Sequence, residues 1–429
     1  MSNKYEHMRE AWNLEGNPFP AEAIHQEGGP FKKDVYPEEY QQFLTDLVYG
    51  AIMDRRGFGF LWSKGPRAED TGFGKTTILK ESARAIDCDF GAEILREAGM
   101  PESQLAQHGM VAAYTSVNTT NSTGIYPVLF SAAEHLADPR FSQDGRSPIE
   151  SLRERICERH NLKSDDTQAI IDVVLETRRR LGPTLPPLRP DALAAFANPE
   201  SGAFAEYLSG VTTASRIRSG LQYFDVAFTI ARAADVPHVF VFVDQLEDLA
   251  TTPTITKAKR TREVGRLRDI VLEDGHYAGH LHCIFTMHIR AQDALFDMWH
   301  VNRLPSFDPN AEANAGSIVV LRGLQTDDQV RELLVAYLDD NRRDGTEDEL
   351  MPFEDDALGV LRQQGAGRVG LILRDAHLVF DRAAAKERAM IDGAFARAIL
   401  SGTVSDEVPP PSRSTAATRD ARVLDDILQ

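Results

Sequence analysis

A chain of 429 residues, 42% hydrophobic and 26% charged, has the composition of a globular protein and length for two or three domains. Its formal charge of −18, from 47 basic and 65 acidic residues, argues against a protein that coats nucleic acid with its whole surface and leaves room only for a local basic channel. Three cysteines without paired spacing give no support to a disulfide framework or a four-cysteine zinc site, and the absence of an apolar leader or a run near the ~20 residues that span a bilayer reads as a reducing, cytoplasmic setting.

Residues 1–56 read as a helical lead-in. The stretch "PEEYQQFLTDLVYGAIMDRR" places Tyr40, Phe43, Leu44, Leu47, Val48 and Ile52 on one face at helical spacing. Next, "GFGFLW" (57–62) is a short apolar run, "GPRAEDTGFGKTT" (65–77) is glycine-rich, and "KTTILKESARAI" has helical periodicity. Strand, loop and helix in that order form the context a phosphate-binding loop requires. In such a loop Gly72 and Gly74 let the backbone around Phe73 approach the phosphates, and Lys75 reaches the β and γ groups of ATP. Thr76 offers its hydroxyl to Mg2+, and Thr77 continues the helix start. The spacing departs from the usual motif, because Glu69 stands where the first glycine belongs. Taking Gly65 as that glycine leaves an excess that bulges outwards, carrying Glu69 and Asp70 away from the phosphates to face solvent or a partner; the alternative is contact with Mg2+ or a basic neighbour, whereas carboxylates aimed at the γ-phosphate would be strongly repelled.

Further strands are expected at "MVAAYTSV" (110–117), "HVFVFVD" (238–244), "HLHCIFTMH" (280–288) and "SIVVL" (317–321). Helical patterns between them point to an α/β fold with a mostly parallel, five-stranded P-loop NTPase sheet over residues 57–323. Asp244 falls at the tip of the third strand, where a carboxylate can hold Mg2+ through water, and Glu247 follows where it could polarise an attacking water. Residues 138–215 interrupt the rhythm as a helical insertion containing the capped helix "DDTQAIIDVVLETRRRL", whose final arginines complement the helix dipole. The pattern from 324 to 401 is purely helical, a lid domain, and the Pro/Ser/Thr-rich 402–429 reads as a flexible tail.

Two clusters have less to offer. Lys257, Lys259, Arg260, Arg262, Arg266 and Arg268 could line a channel for non-specific DNA binding, but a solvated or ion-paired helix face is the simpler reading. His280 and His282 alternate with Cys283 across a strand, with His276 nearby, and so lack convergent metal ligands.

The pairing of "GFGKTT" with "VFVFVDQLEDLA" resembles the P-loop ATPases of the AAA+ and STAND groups, in particular initiator-like and transposition-helper ATPases. The likeness runs from about Asn17 to Ala385, outside the insertion. It implies adenine contacts from Asn17 and Phe19 of "GNPFP", and a polar sensor on the fourth strand at His288, with Thr286 as the other candidate. It further implies an arginine entering a neighbour's site at Arg303, or else Arg290, and a second sensor arginine at Arg368. Gln245 replaces the glutamate usual after the Walker aspartate; glutamine orients water without taking its proton, which leaves Glu247 as the substitute base and makes ATP binding a firmer expectation than hydrolysis, which would be slow and switch-like. The resemblance implies a homo-oligomer that binds Mg-ATP, engages protein partners and works in DNA transactions such as transposition, replication or defence against foreign DNA. The alternative is a slowly hydrolysing, STAND-like switch acting on a protein partner.

Overall fold

In the computed structural model, residues 4–21, 32–64, 72–119, 122–141, 145–252, 255–288, 291–304, 316–343 and 348–402 are described below. Strands β1 (Phe58–Lys64), β2 (Met110–Ser116), β3 (His238–Asp244), β4 (Leu281–His288) and β5 (Ile318–Arg322) form one sheet in the order β2-β3-β4-β1-β5, with every pairing parallel. All five expected strands are present to within two residues at either end. They were legible because a parallel sheet covered on both faces demands continuous apolar runs.

Side-chain alternation divides the core between the two faces. Val239, Val241 and Val243 of β3 pack with helices Ile125–Ala137 and Thr213–Ala233 and with the helices at Pro148–His160, Thr167–Leu181 and Pro190–Ala197. Phe240 and Phe242 of the same strand face the other way, against Phe43, the helix Lys75–Cys88 and the C-terminal helices. The expected insertion is therefore helical, and its apolar faces continue the core of one side of the sheet.

Among the described residues four helices follow the sheet: Asp327–Asp339, Asp355–Gln364, Val369–Ala385 and Gly393–Leu400. The lead-in splits between two bodies. Tyr40, Phe43, Leu44, Leu47, Val48 and Ile52 are buried as their spacing predicts, although Phe43–Tyr49 is wound as a π-helix within that segment. The first helix, Lys4–Ala11, instead packs on the lid, with Trp12 against Phe380 at 4.6 Å and Lys4 paired to Asp381 at 2.8 Å.

Candidate nucleotide site

The helix Lys75–Cys88, here α1, begins at a Gly74 in the left-handed region, φ 82°, and Gly72 is similar at 81°. A residue with a Cβ is strained there, which is why glycines occupy both places. Phe73 between them is 1% exposed and packs in the core. Lys75 Nζ donates to Ser63 Oγ at 2.6 Å, from the end of β1. Glu69, Asp70 and Gly65 lie outside the described residues.

Thr76 Oγ1 donates to Asp244 Oδ2 at 2.6 Å, across 168 positions of sequence. The folding of β3 next to β4, with β1 beyond, brings the two motifs to the carboxyl edge of the sheet, the end where ligands of α/β folds bind. Asp244, 5% exposed, also accepts from the Tyr114 hydroxyl at 3.1 Å, from the Thr286 hydroxyl and from the Gln245 N–H at 3.1 Å. Gln245 has φ 59°, and its exposed carboxamide oxygen accepts from Ser116 Oγ at 3.4 Å.

Glu247 starts the short helix Asp248–Thr251. Burial lifts its carboxyl to about 7; the Asp244 and Asp248 charges push the same way, and the Lys75 ammonium opposes them. A carboxyl poised near neutrality, within electrostatic reach of the phosphate-loop lysine, has the properties of a general base.

The remaining expected residues are distributed unevenly. Thr286, 1% exposed, is the strand-four residue that touches Asp244, and its hydroxyl also accepts from Gln245 N at 3.0 Å. The backbone of His288 stands opposite Ser63. Arg368 is the N-cap of the lid helix Val369–Ala385, here α2, and Gly370 N of that helix donates to Gly72 O at 2.8 Å. The C-terminal helices thus touch the glycine-rich segment at Gly72, and Arg368 stands two residues from the contact. Arg303 is exposed just past the helix Ala291–Val301, with φ 53°, whereas Arg290 lies outside the described residues.

The expectation for Asn17 and Phe19 needs correcting. Phe19 is 3% exposed among Tyr337, Phe353 and Phe380, and Asn17 Nδ2 donates to His377 O and Asp381 Oδ1 at 3.1 and 3.0 Å. Asn17 Oδ1 accepts from Phe19 N at 3.1 Å, an Asx-type turn. Both side chains fasten the N-terminal segment to the lid, leaving no aromatic face for a base.

A second correction concerns Arg178 of "ETRRRL". It is 5% exposed and holds Asp225 with both ends of its fork, at 2.7 and 2.5 Å. The basic helix Lys257–Arg268 is largely neutralised: Lys257 pairs with Asp297, Arg266 with Glu263, and Arg268 with Asp269 and Glu273. His282 is hydrogen-bonded to His238 and Arg56 O, while His280 meets Arg232; among the described residues no group of three or more His, Cys, Asp or Glu side chains could hold a metal.

Sequence reasoning passed over Tyr114 and Ser63. Both stand at the carboxyl ends of strands that the apolar runs had already located, and this position was the available signal.

No family model matches the chain, and no curated protein does. It is similar to the solved structure of the Aeropyrum pernix ORC2 protein in its ADP form, with 11% identity, 88% of this chain and 71% of that chain covered, and a TM-score of 0.45. The ADPNP–ADP complexes of ORC2 give 11% identity, 90% and 72% coverage and 0.43. The Thermotoga maritima RuvB Holliday junction branch migration motor gives 12%, 96%, 80% and 0.32. The parallel strand order, the acidic tip of β3 and the helices that follow the sheet make this an α/β fold with a five-stranded parallel sheet and a helical C-terminal region.

Proposed function

We propose that the chain is an AAA+-like ATPase that binds Mg-ATP at the Lys75–Asp244 site and uses binding and hydrolysis to assemble with, or remodel, partner proteins in a DNA transaction. The observation that carries the reading is the 2.6 Å contact of Thr76 Oγ1 with Asp244 Oδ2 beside two left-handed glycines. The donor set fits magnesium, a hard cation that keeps several waters and takes one or two protein oxygens. Thr76 would hold the ion directly and Asp244 through water, and the ion when bound would neutralise charge on the phosphate oxygens.

The chain's own groups supply the rest. Gly72 and Gly74 let successive N–H groups and the start of α1 converge on an anion. Lys75 would leave Ser63 for the β and γ phosphates. Glu247 would accept the proton of the attacking water, and Gln245, next to Asp244 at the end of β3, would orient that water. Arg368 at the lid and Arg303 on the surface are proposed to couple the site to lid movement and to a neighbouring copy. The DNA target and oligomer follow from the motif resemblance.

Equilibrium binding of ATP to the wild type and to Lys75→Ala tests the core of this reading: the variant should lose at least tenfold in affinity, and equal affinities would sink it. Mass in solution should rise on adding Mg-ATP. Gln245 also supports the second reading, a slow switch; turnover strongly stimulated by DNA rejects the switch, whereas stable ATP occupancy indifferent to DNA rejects the motor.

A further inference from the structure

Asp244 is the most densely bonded carboxylate of the site. Its Oδ1 accepts from the Thr286 hydroxyl and from Gln245 N–H at 3.1 Å; its Oδ2 accepts from Thr76 at 2.6 Å and Tyr114 at 3.1 Å. An ionised carboxylate offers about four lone-pair positions, so these donors fill it. They differ in what holds them. The Gln245 amide and Thr286 belong to the tips of β3 and β4, and Tyr114 belongs to the edge strand β2, in register with Phe242. Thr76 alone is a donor with another duty, because its hydroxyl turns towards the ion in the Mg-ATP reading. Its departure opens one position on Oδ2.

We infer that Tyr114 is a positioning residue: its hydroxyl closes one lone pair of Asp244 Oδ2 and leaves a single acceptor, on the Thr76 side, for a water of the magnesium shell. The terminal torsion of an aspartate is broad, so its plane is fixed by hydrogen bonds rather than by a rotamer well. Removing one donor lets the carboxylate swing. Tyr114 is itself tied to the helix that carries Thr76, since Lys80 of α1, four residues on, sets its ammonium 5.1 Å from the centre of the Tyr114 ring. On its outer side the ring borders a cleft of about 670 Å3 shared with Ser116, Glu134, His135 and Glu206. The ring is held by Lys80, by the edge of His135 at 6.4 Å and by packing against the core, which leaves the hydroxyl for Asp244.

The inference rests on the Mg-ATP reading, and the test separates the two. Tyr114→Phe keeps the ring and its Lys80 contact while deleting the donor. Binding of trinitrophenyl-ATP to the full chain is followed in EDTA and across free Mg2+ concentrations, alongside thermal unfolding. The variant should match the wild type in EDTA and in thermal midpoint but need about tenfold more Mg2+ for the metal-dependent gain in binding, the effect of one charge-assisted hydrogen bond. The turnover number should fall with KM little changed. An unaltered Mg2+ midpoint overturns the inference, as does an equal loss of affinity in EDTA, which marks a purely structural tyrosine. If Lys75→Ala binds the probe as well as the wild type does, the Mg-ATP reading falls and this inference with it; if only Tyr114→Phe behaves like the wild type, this inference falls alone.

Discussion

At the scale of single residues, Glu247 is where protonation and function meet. Its carboxyl rises from the ordinary 4.5 to about 7, mainly through burial. The folded state then holds the proton more tightly than the unfolded chain, so this contribution to stability is fully present below pH 4.5 and is lost as pH rises through 7. The loss is at most about 3 kcal/mol, taking 1.36 kcal/mol per pH unit. Glu247→Gln should remove this slope, so that the variant gains on the wild type in urea titrations at pH 8 relative to pH 5. A slope identical in both proteins would show that another group carries it. The same change should depress turnover about 10²–10⁴-fold while ATP stays bound, as expected for loss of a general base, and wild-type turnover should climb with pH through 7.

At the scale of elements, the lid is joined to the phosphate loop by the Gly370–Gly72 hydrogen bond and to the N-terminal segment by Phe19. The sequence "GAGRVG" carries this docking. Gly367 has φ 71°, and a Cβ there would lie 2.8 Å from Leu324 O, so only glycine lets the turn sit against the exit of β5. Phe19 tests what the "GNPFP" element does. As a buried ring among three other aromatics, its replacement in Phe19→Ala should cost about 3–5 kcal/mol of stability in chemical unfolding. The preference of the folded protein for ATP over GTP should be unchanged. A collapse of that preference with little loss of stability would restore the adenine contact that the resemblance implied.

At the scale of the whole molecule, the helical segment 138–215 is bound to the sheet core through charge as well as apolar packing. Arg178 of Thr167–Leu181 grips Asp225 of Thr213–Ala233, the helix that leads into β3; His276 and Tyr277, before β4, reach the same carboxylate at 2.9 and 3.0 Å. Removing one member of a buried pair leaves the other charge uncompensated. Arg178→Met should therefore lose about 3–5 kcal/mol in urea unfolding, and the double change Arg178→Met with Asp225→Leu should recover a large part of it. Additive losses would show that the pair does not bind the insertion to the core.

The strands, the left-handed glycines Gly72 and Gly74, the acidic strand tip and the C-terminal helices were legible in the sequence, because each is written in local terms: continuous apolar runs for strands covered on both faces, glycines where φ is positive, and 3.6-residue periodicity for helices. Its motif order pointed to Thr76 and Asp244 as partners, and the fold places their side chains 2.6 Å apart. Only the tertiary structure decided which side chains complete the site. Tyr114 reaches Asp244 because β2 pairs with β3, Thr286 because β4 lies on its other side, and Phe19 turns away because the lid has an aromatic pocket for it. Arg178, spelled like any helix-terminal cation, is buried because Asp225 stands opposite. These contacts join residues 42, 47, 130 and more positions apart, and no local pattern of polarity encodes which element becomes whose neighbour.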